Sequence, residues 1–256
     1  MKIPNTIARS KFAKRLWSVV STQTGFELMT GPCTYRQDGL ATIHNCDFLQ
    51  DESFIRAYRL GESTGSWLGH HVEYRVFVIC WAAKHAMLLD GDFVECGTNR
   101  GGFARSIIDF VGFEKSQKTF YLLDTFYGLK DSLISPEEKS LGRRADVTYS
   151  ECFEEVSKTF EEFTNVALVR GVIPDTLTQV KADRVAFLSI DMNCAEPEIA
   201  AGEFFWDKLV SGAVIVLDDY GWTNYIVQKR AWDRFALERN TMVLALPTGQ
   251  GILIKP

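Results

Sequence analysis

The strongest constraint on the fold is an alternation, from about Gly91 onward, of short β-branched runs with helical patterns. This alternation is typical of a parallel sheet whose strands are joined by crossover helices, so the chain is predicted to be an α/β protein. The candidate strands are Phe93–Cys96, Thr119–Leu123, Val166–Val169, Val185–Ile190, Ala213–Leu217, Thr241–Leu246 and Gly251–Ile254. Only residues 247–250 join the last two strands, which is too short for a crossover helix, so these strands must form an antiparallel hairpin.

Residues 1–90 show helical and turn-rich patterns instead. They predict an N-terminal helical cap on the sheet of a domain formed by residues 91–256, and not an independent domain. The first twenty residues form a basic amphipathic pattern with an apolar side. We expect that helix to pack on the domain or on a second subunit of a homo-oligomer, with a membrane or targeting role as the alternative. A second predicted helix, over 71–88, has one apolar face made of Val72, Val76, Ile79, Ala83 and Met87.

The composition argues against nucleic acid as the main partner and favours a small-molecule ligand. The 28 Lys+Arg and 33 Asp+Glu give a net charge of −5, without the basic stripe that nucleic-acid binding rewards. The longest apolar run, 76–83, is far shorter than a membrane-spanning helix. The 6 cysteines have irregular spacing and no C-x-x-C pair, which favours reduced thiols in a cytoplasmic protein over a zinc site or a disulfide framework.

A glycine-rich loop follows the first sheet strand, with the sequence Glu95-Cys96-Gly97-Thr98-Asn99-Arg100-Gly101-Gly102. Glycines let the backbone turn sharply and let a ligand approach a helix N-terminus. The spacing is not the G-x-G-x-x-G of a dinucleotide site, which disfavours a nicotinamide oxidoreductase. A plain strand-to-helix turn remains the alternative for this loop.

Asp124 ends the second strand, where nucleoside-binding α/β proteins place a carboxylate that accepts hydrogen bonds from ribose hydroxyls. A helix-capping role is the alternative. Together with Glu95 and the glycines, Asp124 indicates an adenosyl site beyond the ends of the strands.

Three further carboxylates follow two strands that are expected to be neighbours: Asp191 after one, and Asp218 and Asp219 after the other. Two unit charges about 4 Å apart repel by roughly 4 kcal/mol at an effective dielectric of 20, so such a cluster needs neutralisation. A divalent cation would supply it, and oxygen ligands favour magnesium, manganese or calcium over zinc. The alternative is that one aspartate caps a helix and another faces solvent.

In this order the motifs resemble those of the macrocin O-methyltransferase family, over about Gly91 to Pro256. The motifs are Glu95-x-Gly97-x-x-x-Gly101-Gly102, Asp124-Thr125-Phe126-x-Gly128-Leu129, Gly171-x-x-x-Asp175-Thr176-Leu177, Ile190-Asp191-x-Asn193 and Asp218-Asp219-Tyr220-Gly221. The resemblance implies a Rossmann-like class I methyltransferase sheet and an S-adenosylmethionine-dependent, metal-assisted transfer to sugar hydroxyls of natural products.

The resemblance also assigns roles to residues. It implies that Asp191, Asp218 and Asp219 bind Mg²⁺ or Mn²⁺, with Asp191 also the base. The predicted cofactor contacts are Glu95, Gly97, Thr98, Gly101, Gly102, Asp124, Thr125 and Phe126. One departure bears on substrate preference, because the family often reads Asp-Gly-Asp-Leu-Tyr where this chain has Asp191-Met192-Asn193-Cys194-Ala195.

Two histidines before the predicted second helix, His70 and His71, are alternative catalytic bases, although ordinary surface or capping roles also suit them. Two other functions remain open: metal-dependent methylation of a catechol or other phenol, and a cofactor-binding subunit that supports a partner enzyme without catalysis. A polar stretch, 130–146, follows the second strand and is either a lid over the ligand or a solvated loop.

Overall fold

The computed structural model describes residues 32–145 and 149–256, which divide between two compact units, Met1–Cys46 and Asp47–Pro256. The predicted basic helix near the N-terminus lies outside the described residues, as does the last residue of the predicted polar stretch. The described part of the first unit is an antiparallel hairpin of β1 (Tyr35–Gln37) and β2 (Leu40–Thr42). Its turn residues, Asp38 and Gly39, both have positive φ, as a tight two-residue hairpin turn requires.

The second unit contains a sheet of 7 strands. The strands are β3 (Asp92–Cys96), β4 (Phe120–Asp124), β5 (Val166–Arg170), β6 (Val185–Ile190), β7 (Leu209–Leu217), β8 (Leu244–Ala245) and β9 (Gly251–Ile254). Their order is β5-β4-β3-β6-β7-β9-β8, and β3 to β7 are parallel. Strand order therefore reverses between β3 and β6, which is where such sheets bind ligands.

The predicted hairpin is confirmed, since β8 pairs with β9 in antiparallel register and β9 lies between β7 and β8. β8 is much shorter than the predicted strand over 241–246. The amide of Thr241 donates to the carbonyl of Ala236 and closes the end of the preceding helix, and Val243 is buried in the core. These residues are therefore committed to other contacts before the chain joins the sheet.

The helices of this unit are α1 (Glu52–Glu62), α2 (Glu73–Ala86), α3 (Gly102–Val111), α4 (Pro136–Ser140), α5 (Phe153–Phe160), α6 (Ala195–Trp206) and α7 (Ile226–Leu237). Successive strand residues face opposite sides of the sheet. Phe93 accordingly packs in the cluster that contains residues of α1, α2, α3 and α5, whereas Val94 packs in the cluster that contains residues of α6 and α7. The result is a sheet with a helical layer on each face. None of the described helices is long and apolar enough to cross a membrane.

The predicted N-terminal helical cap is not confirmed. α2 has the predicted apolar face, with Val76, Ile79 and Ala83 fully buried, but that face packs against β6, β7 and α3. α1 packs on α3 in the same layer. Both helices belong to the compact unit that contains the sheet.

Candidate functional site

Two adjoining cavities open at the carboxyl ends of the strands. The first, called here the β4-side cavity, is lined by residues that include Leu123, Asp124, Thr125, Val172, Ile173 and Met192. The second, called the β7-side cavity, is lined by residues that include Trp67, His70, Arg75, Glu95, Asp218 and Asp219. Both cavities share Gly97, Asn99, Tyr149, Ser150, Asp191 and Asn193 in their walls. These shared residues form the junction, which lies at the reversal of strand order.

The loop after β3 depends on Gly97 for its path. Gly97 has φ 94, and a Cβ atom there would collide with the backbone carbonyl of Asp191. Only glycine therefore lets the loops after β3 and β6 come together at the junction. Thr98 is buried in this loop and its carbonyl accepts from the amide of Gly101, which precedes the first residue of α3, Gly102. The loop thus has the sharp turn that its sequence predicts.

Asp124 joins this loop to the one after β4. Its Oδ2 accepts from the Asn99 amide at 2.7 Å, and its Oδ1 accepts from the Phe126 amide at 2.7 Å. Thr125 Oγ1 lies 3.3 Å from Oδ1, but its one proton is directed to the nearer carbonyl of Gly128. Burial raises the pKa of Asp124, and these hydrogen bonds oppose that shift. A carboxylate oxygen accepts up to two hydrogen bonds, so Oδ2 retains capacity for a donor in the β4-side cavity.

Thr125 and Phe126 line the same cavity in different ways. Thr125 Oγ1 donates to the carbonyl of Gly128 at 2.7 Å, which fixes the turn after β4. Phe126 has a buried ring that packs on Phe153, with ring centroids 5.2 Å apart. The Phe126 ring therefore supports the cavity wall from the core side.

Glu95 is a buried carboxyl group in the wall of the β7-side cavity. In the part of the chain that the structure describes, its Oε2 atom has no hydrogen-bond partner, and neither does the buried Oγ1 atom of Thr98. Burial raises the pKa of Glu95 well above its usual range, and the charges of Asp191 and Asp124 add to the shift. A buried acceptor without a partner is costly, so this oxygen is suited to a ligand that carries a hydrogen-bond donor.

The three predicted metal ligands come together at the junction end of the β7-side cavity. Ile190 at the end of β6 pairs with Leu217 at the end of β7, so Asp191 and the Asp218–Asp219 pair are adjacent. One carboxylate oxygen from each aspartate lies within 4.8 Å of the others. Burial raises the pKa of Asp191 and of Asp219, as does repulsion from the neighbouring carboxylates.

These residues fit a divalent cation. The Oδ2 atom of Asp219 is buried and has no hydrogen-bond partner among the described residues, although it lies beside two other carboxylates. All three donors are oxygens, which Mg²⁺ and Mn²⁺ prefer. The same clustering is unfavourable without a positive charge.

One positive charge is already present, and the sequence reasoning missed it. Arg75, in the first turn of α2, places Nη1 2.6 Å from Asp218 Oδ2. Gln250, fully buried in the turn between β8 and β9, donates to Asp218 Oδ1 at 3.0 Å. The available sequence signal is a charged residue inside the apolar helical pattern, between Val72 and Val76.

A second missed group surrounds Asn193 at the junction. Asn193 Oδ1 accepts from the Tyr225 hydroxyl at 2.8 Å, and its Nδ2 donates to the Tyr149 hydroxyl at 3.3 Å and to Asp191 Oδ1 at 3.4 Å. Burial and the nearby aspartates raise the pKa of both tyrosines, so their hydroxyls stay protonated at neutral pH. The amide therefore uses both its donor and its acceptor groups, which an aspartate at 193 cannot do.

The structure separates the two candidate histidines. His70 lines the β7-side cavity. His71 is exposed, and its Nδ1 lies 3.2 Å from Glu73 Oε1 instead of in a cavity wall. His70 is exposed as well, but it forms part of the cavity wall, whereas His71 lies outside it.

The polar stretch 130–145 is ordered and anchored to the cavity wall. It contains α4, which begins with a capping box between Ser135 and Glu138. Glu138 is buried, and its Oε1 accepts from the Ala195 amide at the start of α6 at 2.7 Å. Lys130 and Leu133 line the β4-side cavity. The segment, called the flap, therefore contributes two residues to that cavity wall and is tied to α6 through Glu138, while many of its other residues are exposed.

Comparison with known proteins agrees with this arrangement. Residues 79–244 match the model of the macrocin-O-methyltransferase (TylF) family, whereas no curated protein sequence matches significantly. The O-methyltransferase NovP is similar in structure, with a TM-score of 0.61 and 22% identity over 71% of this chain and 79% of NovP. The calicheamicin methyltransferase CalS11 has a TM-score of 0.58 and 16% identity over 83% of this chain and 94% of its own. An O-methyltransferase from Bacillus cereus, solved in complex with SAH, has a TM-score of 0.51 and 14% identity over 80% and 91%.

Proposed function

The chain belongs to the macrocin-O-methyltransferase family, and from that premise we propose that it transfers the methyl group of S-adenosylmethionine to a hydroxyl of a sugar or other natural product. The observation that carries this proposal is the junction. There the β4-side cavity, lined by Asp124, adjoins the β7-side cavity, lined by the three clustered aspartates. Methyl transfer requires a cofactor site and an acceptor site that meet at the reacting atoms.

The β4-side cavity is the proposed site of the adenosine moiety. Asp124 accepts hydrogen bonds from the ribose hydroxyls through its remaining lone pairs, and Thr125 and Phe126 continue the wall along the base. The unpartnered Oε2 atom of Glu95 accepts a hydrogen bond from the ammonium group of the methionine moiety. The loop 97–102 contacts this end through Gly97, Thr98 and Gly102, which line the β7-side cavity, whereas a Cβ atom on Gly101 would meet the ring of Phe160.

The part of the β7-side cavity beyond Glu95 and the loop 97–102 is the proposed site of the acceptor. Asp191, Asp218 and Asp219 would hold a divalent metal ion, Mg²⁺ or Mn²⁺. Such an ion supplies Lewis-acid chemistry, which lowers the pKa of an acceptor hydroxyl. The aromatic side chains of Trp67, Tyr149 and Tyr225 also line this wall, although one face of Trp67 stacks on Tyr58 and one face of Tyr225 lies under Arg143. These side chains suit a sugar ring, and they also keep a phenolic acceptor as the second candidate.

Asp191 is the proposed general base. It lies in the wall of both cavities, and its carboxylate takes the hydroxyl proton as the oxygen attacks the methyl carbon. His70 is the alternative base in the same cavity, and the exposed position of His71 does not support that role for it.

The remaining sequence predictions extend this proposal. We propose that residues 91–256 bind the cofactor and that residues before 90 contribute an acceptor-facing wall. Seven of these earlier residues line the β7-side cavity: Gly65, Ser66, Trp67, Leu68, His70, Val72 and Arg75. All six cysteines are free thiols, which supports a reducing compartment such as the cytoplasm. Self-association through the N-terminal helices stays a prediction, because those residues lie outside the described ranges.

The test is a methyl-transfer assay with labelled S-adenosylmethionine against a panel of nucleotide sugars, glycosides and catechols, with Mg²⁺ or with chelator. We expect product from a sugar-containing acceptor and loss of turnover in chelator. Product from catechols alone would favour the phenol-specific function. Tight binding of S-adenosylhomocysteine, without turnover on any acceptor, would favour the non-catalytic subunit.

A further inference from the structure

Asp218 differs from the other two clustered aspartates because two donors hold it. Arg75 Nη1 lies 2.6 Å from its Oδ2, and Gln250 Nε2 lies 3.0 Å from its Oδ1. Asp218 is 3% exposed and Gln250 is fully buried, so solvent does not compete for these contacts. In the described ranges the buried Asp219 Oδ2 has no such donor.

The guanidinium of Arg75 occupies the position where added positive charge is needed. With all three carboxylates ionised, the cluster and Arg75 together carry a formal charge of −3 + 1 = −2. A divalent cation that uses Asp218 must share this carboxylate with the guanidinium. Because the group is largely buried, repulsion between the two cations is weakly screened.

The backbone of Arg75 is held independently of the ion pair with Asp218, so a movement of its head group does not require a movement of the helix. Its backbone lies in the first turn of α2, where its carbonyl accepts from Gln250 Nε2 at 3.4 Å. Its side chain is 19% exposed and lines the β7-side cavity, and its guanidinium carbon lies 6.0 Å from the centre of the Trp222 ring. Arg75 precedes the residues 79–244 that match the family model, so that match assigns it no role.

We propose that Arg75 sets the cation affinity of the acidic cluster, because its guanidinium occupies Asp218 and is displaced toward the β7-side cavity when a divalent cation binds. This inference rests on the metal-binding part of the proposed function. It makes Arg75 a positioning residue, since it acts through Asp218. The negative charge of the cluster is then reduced by an internal cation before metal binding and by an external cation after it.

The test titrates the full-length protein with Mn²⁺ alone and follows free Mn²⁺ by electron paramagnetic resonance. Arg75→Gln removes the charge and should tighten Mn²⁺ binding at least about tenfold. Arg75→Lys keeps the charge and should stay within about threefold of wild type. Arg184→Gln is the matched control. Arg184 lies just before β6 and forms an exposed ion pair with Asp90, so this variant should leave the Mn²⁺ affinity unchanged. Binding of S-adenosylhomocysteine verifies that each variant is folded.

A second measurement needs no variant to fold. In wild type, the side-chain NMR signal of the Arg75 guanidinium should shift when diamagnetic Mg²⁺ is added, with Arg75→Lys serving only to assign that signal. Equal or weaker Mn²⁺ affinity in Arg75→Gln, or an Arg75 signal that does not respond to saturating Mg²⁺, would overturn the proposal. Absence of Mn²⁺ binding in wild type and variant alike would overturn it together with the metal-binding part of the proposed function. If S-adenosylhomocysteine still binds in that case, the cofactor-binding part of the proposed function stands.

Discussion

At the residue scale, Asp124 has a structural contact and a proposed ligand contact on the same carboxylate. It joins the loops after β3 and β4, and it lines the β4-side cavity. Asp124→Ala should weaken S-adenosylhomocysteine binding by about tenfold or more, since a charge-assisted contact contributes roughly 1.5 to 3 kcal/mol. Calorimetry measures the loss. Asp109→Ala, which removes a paired aspartate that lines neither cavity, should bind normally, and unchanged affinity in Asp124→Ala would reject the ribose assignment.

Asp191 is expected to act on turnover and not on cofactor affinity. Asp191→Asn keeps the side-chain shape and its contact with Asn193, but it removes a metal charge and the proposed base. Turnover should fall by at least about a hundredfold, the usual scale for losing a general base. Asp183→Asn, at an exposed position before β6, is the matched control. Wild-type turnover in Asp191→Asn would make His70 the leading base, with His70→Gln as the next variant to assay.

At the scale of elements, the contact between α6 and α7 contains a buried titratable group, Glu198. Its carboxylate accepts from Trp232 Nε1 at 2.9 Å and from Gln228 Nε2 at 3.0 Å. Burial raises its pKa from 4.5 to about 7. The folded protein therefore binds more protons than the unfolded chain between these values, so Glu198 makes stability fall as pH rises from about 4.5 to 7.

Glu198→Gln should remove this part of the pH dependence. The amide imitates the protonated carboxyl group, and it can donate to Gln228 Oε1, a buried atom without a partner in the part of the chain described. Relative to wild type, the variant should gain about 2 to 3 kcal/mol of unfolding free energy between pH 4 and pH 8. Urea unfolding at each pH measures the difference. A constant difference across this pH range would contradict the assignment.

The flap over 130–145 is the second element whose behaviour can be tested. Because Glu138 ties α4 to the start of α6, this segment should already be partly protected from hydrogen exchange and should become more protected with S-adenosylhomocysteine. Glu138→Gln should speed exchange in α4 and weaken cofactor binding severalfold. Glu137→Gln, in the same helix but in a surface ion pair with Arg230, is the matched control. Exchange that is equally slow with and without ligand would identify fixed structure instead of a flap.

At the scale of the whole molecule, the sequence predicts the sheet better than the helical layers. Strand patterns are local, so the bounds of β6 and β9 agree with their predicted ranges. The position of α2 depends on which surface its apolar face meets, and that surface is built by strands more than a hundred residues later. An amphipathic pattern does not encode this choice, so the place of α2 in the helical layer is known only from the structure.

The candidate site shows the same contrast between local patterns, which the sequence predicts, and long-range contacts, which it does not. Motif spacing brought the glycine loop, Asp124 and the three clustered aspartates to one edge of the sheet, because the carboxyl ends of parallel strands meet there. Two side chains distant in sequence contact Asp218: Arg75 lies 143 residues before it and Gln250 lies 32 residues after it. No local sequence pattern connects positions so far apart. The contacts of Arg75 and Gln250 with Asp218 could therefore not be predicted from the sequence.

The division of the chain into two units leads to a prediction about folding. Among the described residues, both core clusters draw their members from 48 onward, and the hairpin of β1 and β2 contributes none of them. A variant that begins at Asp47 should therefore fold cooperatively, with S-adenosylhomocysteine affinity within about threefold of the full chain. Calorimetric unfolding and titration test this directly.

Deleting 1–90 is the contrasting variant, since it removes α1 and α2 from the layer against β6, β7 and α3 and should abolish cooperative unfolding. A folded, cofactor-binding product from the longer deletion would show instead that residues 91–256 form an independent domain.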